Sequence, residues 1–320
     1  MSIGFVFPGQ GSQSLGMQAE FANQPLVRQT YDQASSVLGY DLWALSQQGP
    51  EEQLNATERT QPLVLTAGVA AYRVWLAQGG LTPTLMAGHS LGEFTALVCA
   101  QALDFAQAVE LVRKRGELMQ TAVPAGTGAM AAILGLDDEL VEEACRVATE
   151  GEVVEPVNYN SPGQLVIAGH RHAVDRAMKA CQERGAKRAV LLPVSVPAHS
   201  SLLRGAAQAF ADVIAKVNVD SPQIPVLGLG ASPHDTPASI RARVVEQLHS
   251  PVRWTQTVTT MVNSGVQGLV ECGPGRVLST LNRRIERNKE FGIYSTDTPA
   301  ALAAALSATA PQGSATHAEG

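Results

Sequence analysis

One short segment limits what this 320-residue chain can become. Leu85-Met86-Ala87 is an apolar run suited to a buried strand, Gly88-His89-Ser90-Leu91-Gly92 must turn sharply, and Glu93-Phe94-Thr95-Ala96-Leu97-Val98 begins a helix at once. A strand that turns directly into a helix belongs to α/β architecture, in which helices carry the chain back to start the next parallel strand. The spacing G-x-S-x-G is that of a nucleophile elbow. Gly88 and Gly92 lack a Cβ, so strand and helix can pass close together while the Ser90 hydroxyl is pushed outward. The first N–H groups of the helix then face any negative charge that forms beside that hydroxyl, and the Leu91 amide is the first donor in line. An ordinary glycine-rich turn has the same letters; the strand-turn-helix context favours a catalytic serine.

The rest of the chain repeats this alternation. Apolar runs bounded by Gly or Pro recur near 3–7, 84–88, 225–229, 267–272 and 291–295, with helical patterns such as 60–78, 104–121 and 253–264 between them. That order predicts a mostly parallel sheet with helices on both faces. Residues 124–193 read differently. A strand (129–134), a helix opening at Asp137-Asp138, a strand (153–158), a turn at Ser161-Pro162-Gly163, a strand (164–168), a helix (171–184) and a strand (187–192) give a βαββαβ order, which is that of a ferredoxin-like unit. The expected fold is therefore α/β: an α/β-hydrolase-like large domain from residues 1–124 and 196–306, with a ferredoxin-like small domain, 125–195, inserted at Pro124-Ala125-Gly126 and at Pro193 through Pro197. A ligand is expected in the cleft between them. Residues 307–320 are small and polar without periodicity, and read as a disordered tail.

Composition excludes several functions. A formal charge of −6 argues against nucleic acid as a partner, because phosphate neutralisation needs clustered surplus Lys and Arg. No apolar run reaches membrane-spanning length and the first residues lack a secretory signal, so a cytoplasmic protein with no membrane partner is expected. Cys99, Cys145, Cys181 and Cys272 are scattered without a C-x-x-C pair, which suggests neither disulfides nor a zinc site.

Near the start, Phe5-Val6-Phe7-Pro8-Gly9-Gln10-Gly11-Ser12-Gln13 breaks from a strand into a glycine-rich loop. As a phosphate loop it is incomplete: no Lys precedes Lys114, and Ser14 replaces the third glycine of the dinucleotide fingerprint. The serine needs a base. His89 points away across the turn, His170 and His172 flank a helix start, His234 lies in a Ser-Pro-His-Asp loop, His249 ends a helix and His317 is in the tail. His199, in the loop at the second domain crossing, is the candidate, a satisfied structural histidine being the alternative. No Asp is obviously placed for a triad, so a dyad steadied by a backbone carbonyl is an option. In the helix 104–121, Phe105, Ala108, Val109, Val112, Gly116 and Met119 form an apolar stripe with Arg115 at its edge. An inward guanidinium wants an anion: either an internal partner such as Glu93, or a substrate carboxylate in a bidentate clamp. Snorkelling to solvent is the third option.

Six segments, in order over residues 3 to 285, resemble the malonyl-CoA:acyl carrier protein transacylase family: Phe7-Pro8-Gly9-Gln10-Gly11-Ser12-Gln13, Gly88-His89-Ser90-Leu91-Gly92-Glu93, Arg113-Lys114-Arg115-Gly116, Asn158-Tyr159-Asn160-Ser161-Pro162-Gly163-Gln164, Val196-Pro197-Ala198-His199 and Glu271-Cys272-Gly273-Pro274-Gly275. The resemblance implies that Ser90 is the acylated nucleophile, His199 its general base and Arg115 the partner of malonate's free carboxylate. It implies that the Gln10 backbone completes an oxyanion hole with the Leu91 amide and that the Gln247 carbonyl steadies the histidine. Asn160 would line the pocket, holding the small-domain turn being its equal alternative. The implied reaction is ping-pong transfer of malonyl from malonyl-CoA to the phosphopantetheine thiol of acyl carrier protein, supplying fatty acid synthesis, with no metal or bound cofactor and in a monomer.

Acyltransferases acting in trans in polyketide synthesis and malonyltransferases of malonate decarboxylation share this chemistry. A serine hydrolase or thioesterase shares the elbow but has no need of Arg115, and a non-catalytic carrier-binding scaffold would not need the whole set. Phe94 stands where the family often has Tyr and Ala198 where it often has Ser, which leaves the tolerated α-substituent open. Acyl carrier protein is acidic in this family, so a local basic patch is expected; the run Arg283-Arg284-Ile285-Glu286-Arg287-Asn288-Lys289 is either that patch or a solvated helix face.

Overall fold

The computed structural model describes residues 1–310 apart from Ala125 and Ser195. Those two positions of the expected domain crossings, and residues 311–320 of the expected tail, lie outside the described residues. Among the described residues the strands are β1 (Ile3–Phe7), β2 (Leu85–Gly88), β3 (Gly128–Leu134), β4 (Val154–Ser161), β5 (Gln164–His170), β6 (Arg188–Leu191), β7 (Val226–Leu227), β8 (Gly268–Glu271) and β9 (Gly292–Ser295).

Five of them make a parallel sheet in the order β7-β2-β1-β8-β9. All of β1 is buried, as a central parallel strand covered on both faces requires. Phe5 packs edge-on against Tyr72 and Trp75 of the helix Thr57–Ala77, while Val6 joins Trp254 and Val258 of the helix Trp254–Asn263 in a separate cluster on the other face. From β1 the chain proceeds to β2 on one side and returns much later as β8 on the other. Such a reversal opens a crevice at the carboxyl ends of the strands. There the loop after β1 meets the elbow after β2: His89 N–H donates to the Phe7 carbonyl at 3.0 Å, and a Cβ on Gly9 would lie 2.5 Å from the His89 carbonyl oxygen.

The other four strands form an antiparallel sheet in the order β4-β5-β3-β6, the ferredoxin-like arrangement. Strand alternation divides β3 between two environments. Ala129, Ala131 and Ile133 pack with Val141, Ala144, Val174 and Ala177 of the helices Asp138–Ala148 and Arg171–Glu183. Met130 and Ala132 face the opposite way, with Leu192, Val194 and Ala198, and so roof the crevice. Among the bonds that hold this sheet to the rest, Val252 exchanges backbone bonds with Val157 and Tyr159 of β4 at 2.8 and 2.9 Å, and Glu155 accepts from the Ser201 N–H and hydroxyl at 2.7 and 2.8 Å.

The first residues of the expected tail are helical instead. The helix Pro299–Thr309 runs past residue 307, and Thr309 is buried with its hydroxyl donating to the Ala305 carbonyl at 2.8 Å. Ala-rich sequence has high helix propensity but little periodic contrast, so it resembles a tail until packing is seen. All four cysteines are free and buried.

Candidate active site

The elbow holds Ser90 in the left-handed region, φ 53°, where a non-glycine residue is strained. Crowding explains why the two flanking positions are glycine: a Cβ on Gly88 would lie 1.9 Å from the Gly92 carbonyl carbon, and one on Gly92 would lie 2.0 Å from the Phe7 carbonyl oxygen. His199 is also left-handed, φ 64°. Its N–H donates to the Leu248 carbonyl at 3.1 Å, and Ser200 Oγ donates to the Pro197 carbonyl at 2.7 Å, so the turn is held from both sides.

These two strained residues meet although 109 positions separate them. His199 Nε2 lies 2.8 Å from Ser90 Oγ, and His199 Nδ1 lies 2.7 Å from the Gln247 carbonyl oxygen. A carbonyl only accepts, so Nδ1 carries the proton and donates; Nε2 is then the free lone pair facing the serine hydroxyl, the tautomer a general base needs. Burial, and then the nearby Arg115 charge, push the His199 imidazole down to about 3, which keeps it neutral.

Arg115, 1% exposed, reaches the same point from the helix Phe105–Gln120. It donates to Gln61 Oε1 at 2.9 Å, to Gln247 Oε1 at 2.8 Å and to Ser90 Oγ at 3.3 Å, and its plane stacks over Phe94 with 5.4 Å to the ring centroid. Burial brings the guanidinium down to about 10, with Glu93 opposing the shift. It therefore stays charged near neutrality. No carboxylate forms an ion pair with it among the described residues. The direct pair with Glu93 weighed from the sequence does not form, because the Gln247 carboxamide stands between the two: Glu93 accepts from Gln247 Nε2 at 2.7 Å and from His234 Nε2 at 2.8 Å.

Ser90, His199 and Arg115 open onto a cavity of about 300 Å³, walled also by Gln10, Leu91 and His89, with Met130, Leu192 and Val194 above. Among the described residues the Gln10 and Leu91 amides have no acceptor. Asn160 is not in this wall. Asn158 is, and Asn160 stands behind it with Oδ1 2.9 Å from His89 Nε2. Irregular pairing in β4, between Pro156 and Asn158 and again between Tyr159 and Ser161, shifts which residue reaches the cavity. His89 does not turn away: its ring lies 5.6 Å from Trp254 and forms part of the wall.

The other described histidines do not line the cavity. His170 Nδ1 accepts from Val153 N–H at 2.9 Å, a structural role. His317 lies outside the described residues. In the basic run, Arg283 donates to the Ile293 carbonyl at 3.0 Å and Arg284 to Gln164 Oε1 at 2.7 Å, which ties two of its cations to neighbouring elements. No cluster of side chains suited to a metal ion occurs among the described residues, and no helix there is long and apolar enough to cross a membrane. Sequence reasoning missed Gln61 and the contacts of Glu93 with His234 and Gln247. None of them left a local signal: Gln61 closes the polar start Thr57-Glu58-Arg59-Thr60-Gln61 of its helix, just before the apolar Pro62-Leu63-Val64-Leu65.

The acyl transferase domain family matches residues 4–297. The chain is 54% identical over 304 residues to a malonyl CoA-acyl carrier protein transacylase of Escherichia coli, covering 94% of this chain and 98% of that one. It is 42% identical to the corresponding Bacillus subtilis protein, covering 89% and 90%. Among solved structures it resembles an acyl carrier protein S-malonyltransferase from Vibrio cholerae (TM-score 0.92, 53% identity, covering 95% and 99%). A malonyl-transacylase in complex with a type II PKS acyl-carrier protein is similar too (TM-score 0.94, 51% identity, covering 96% and 100%). By that extent of identity and coverage, the chain belongs to the acyl transferase domain family and, within it, to the malonyl CoA-acyl carrier protein transacylases.

Proposed function

We propose that this protein transfers malonyl from malonyl-CoA to the phosphopantetheine thiol of acyl carrier protein through an ester on Ser90, in the cytoplasm and in the service of fatty acid synthesis. The observation that carries this reading is the buried, charged Arg115 at 3.3 Å from Ser90 Oγ, bonded to two neutral amides and to no carboxylate. A buried cation with no carboxylate in direct contact among the described residues can take one from a ligand, and malonate's free carboxylate supplies it at the right distance from a thioester.

In the first half-reaction His199 Nε2 takes the Ser90 proton as Oγ attacks the thioester carbonyl. The resulting oxyanion is met by the Leu91 and Gln10 amides. Collapse breaks the C–S bond, the CoA sulfur leaves with the proton held on His199, and the ester remains. The carrier's thiol then runs the same steps in reverse. The residues 125–195 act in this scheme as the domain that roofs the cleft and keeps water from the ester.

Intact mass after mixing with malonyl-CoA or acetyl-CoA tests the proposal. A malonyl adduct on Ser90 and little acetyl adduct are expected. In Arg115→Ala the preference should fall about 100-fold, the order of a charge-assisted clamp. Equal labelling of the parent by both donors would refute Arg115 as the selector, and hydrolysis outrunning transfer to a thiol would favour a thioesterase.

The depressed His199 pKa makes a second prediction. An imidazole left at its usual value would lose most of its base form on going from pH 8 to about 5, whereas His199, pushed down to about 3, remains a base. Acylation by malonyl-CoA, followed as kcat/KM, should stay level across that range; a break near 6.5 would contradict it. The linked effect on stability has a fixed sign. The unfolded imidazole binds a proton below about 6.5 and the folded one does not, so this contribution is intact above that pH and is lost as pH falls toward the folded value.

A further inference from the structure

Behind the serine lies a polar cluster of which the transfer steps use only the Gln247 backbone carbonyl. Glu93, in the first turn of the helix Gly92–Cys99 and 3% exposed, has both oxygens engaged: Oε1 accepts from His234 Nε2 at 2.8 Å and Oε2 from Gln247 Nε2 at 2.7 Å. Gln247, 2% exposed, connects this carboxylate to the reacting groups. Its Nε2 also donates to the Ser90 carbonyl at 3.1 Å, its Oε1 accepts from Arg115 at 2.8 Å, and its backbone oxygen accepts from His199 Nδ1 at 2.7 Å.

Each neighbour of the Gln247 carboxamide therefore specifies the same orientation. Turned over, its NH2 would face the Arg115 N–H donors, and its oxygen would face a carboxylate and a carbonyl. An ionised carboxylate is the strongest of these constraints because it only accepts. His234 serves that carboxylate alone: its Nε2 bonds Glu93, and its Nδ1 has no partner among the described residues. The loop around it is fitted to the pair, since a Cβ on Gly228 would lie 2.3 Å from His234 Nε2 and 2.8 Å from Glu93 Oε1.

We propose that Glu93 and His234 are positioning residues which lock the Gln247 carboxamide, and through it aim Arg115 at the donor's free carboxylate, so that they set the preference for malonyl over uncharged acyl groups. This rests on the reading of Arg115 given above. Glu93 is also the buried negative charge that offsets Arg115 across the amide, a role that a neutral isostere cannot fill.

The test is single-turnover acylation by malonyl-CoA and by acetyl-CoA in the full chain, read by intact mass, for the parent, Glu93→Gln, His234→Leu and His234→Gln. Glu93→Gln keeps the shape but can offer its own NH2 to Gln247 and so permits the turned amide. Malonyl acylation should fall about 30-fold and acetyl acylation about threefold, lowering their ratio about tenfold. His234→Leu should lower the ratio in the same direction, and His234→Gln, which retains a donor near the Nε2 position, should restore much of it. An unchanged ratio in folded Glu93→Gln, however slow the enzyme, overturns the proposal, because general support of the fold would slow both donors alike. If Glu93→Gln does not fold, the ratio in His234→Leu decides by the same criterion, and loss of the fold in both variants also overturns the proposal. A parent enzyme without malonyl preference would remove the Arg115 reading itself, a result visible before any variant is made.

Discussion

Replacing His199 by Ala is expected to slow formation of the malonyl ester about 1000-fold, the scale set by loss of a positioned general base. In the parent, the imidazole takes the serine proton over 2.8 Å and is held in the correct tautomer by the Gln247 carbonyl. Without it, water must accept that proton, and Arg115, at 3.3 Å from Oγ, supplies the remaining stabilisation of the alkoxide. The residual rate should therefore rise with pH, in contrast to the level profile of the parent. Stopped acylation reactions read by intact mass measure both effects. A rate within tenfold of the parent would show that the dyad geometry is not what activates Ser90. Thermal unfolding should be run beside it, because the variant leaves the buried Gln247 carbonyl without its donor, which costs about 1–3 kcal/mol.

How much of this site was legible in advance depends on how local each constraint is. The elbow was legible because Gly88, Ser90 and Gly92 are held within five residues of one strand-helix turn. The small sheet was legible because strand alternation and helix periodicity succeed each other within single segments; β3 to β6 lie close to the strands read from pattern. Arg115 appeared at the edge of an apolar stripe, which placed it near the interior without saying what it faced. What it faces is set by partners 54 and 132 residues away, Gln61 and Gln247, and no local pattern encodes such a contact. The same holds for Glu93 and His234, 141 residues apart. Asn158 and Asn160 illustrate a different limit: they share one face of an ideal strand, and only the irregular pairing of β4 decides that Asn158 reaches the cavity while Asn160 supports His89.

A large stability effect is expected at Gly92. A Cβ there would lie 2.0 Å from the Phe7 carbonyl oxygen, 2.7 Å from its carbon and 2.9 Å from the Pro8 oxygen. These are backbone atoms of the last residue of β1, the strand at the centre of the parallel sheet, and of the residue that follows it, so no rotamer change removes the clash. Either β1 or the elbow helix must move. Overpacking of this kind costs about 3 kcal/mol or more when the obstacle is backbone, and the movement displaces Gln10, two residues beyond Pro8, from Ser90. Gly92→Ala should accordingly show a lowered thermal midpoint, and whatever folds should acylate poorly at Ser90. Gly205→Ala is the control of opposite sign. Gly205 lies exposed in the helix Arg204–Ile214, where a Cβ meets nothing within 4 Å, so alanine should stabilise by about 0.5–1 kcal/mol through helix propensity. If Gly92→Ala melts with the parent while retaining full acylation, the close passage of β1 over the elbow is wrong, and with it the route by which the Gln10 loop reaches the serine.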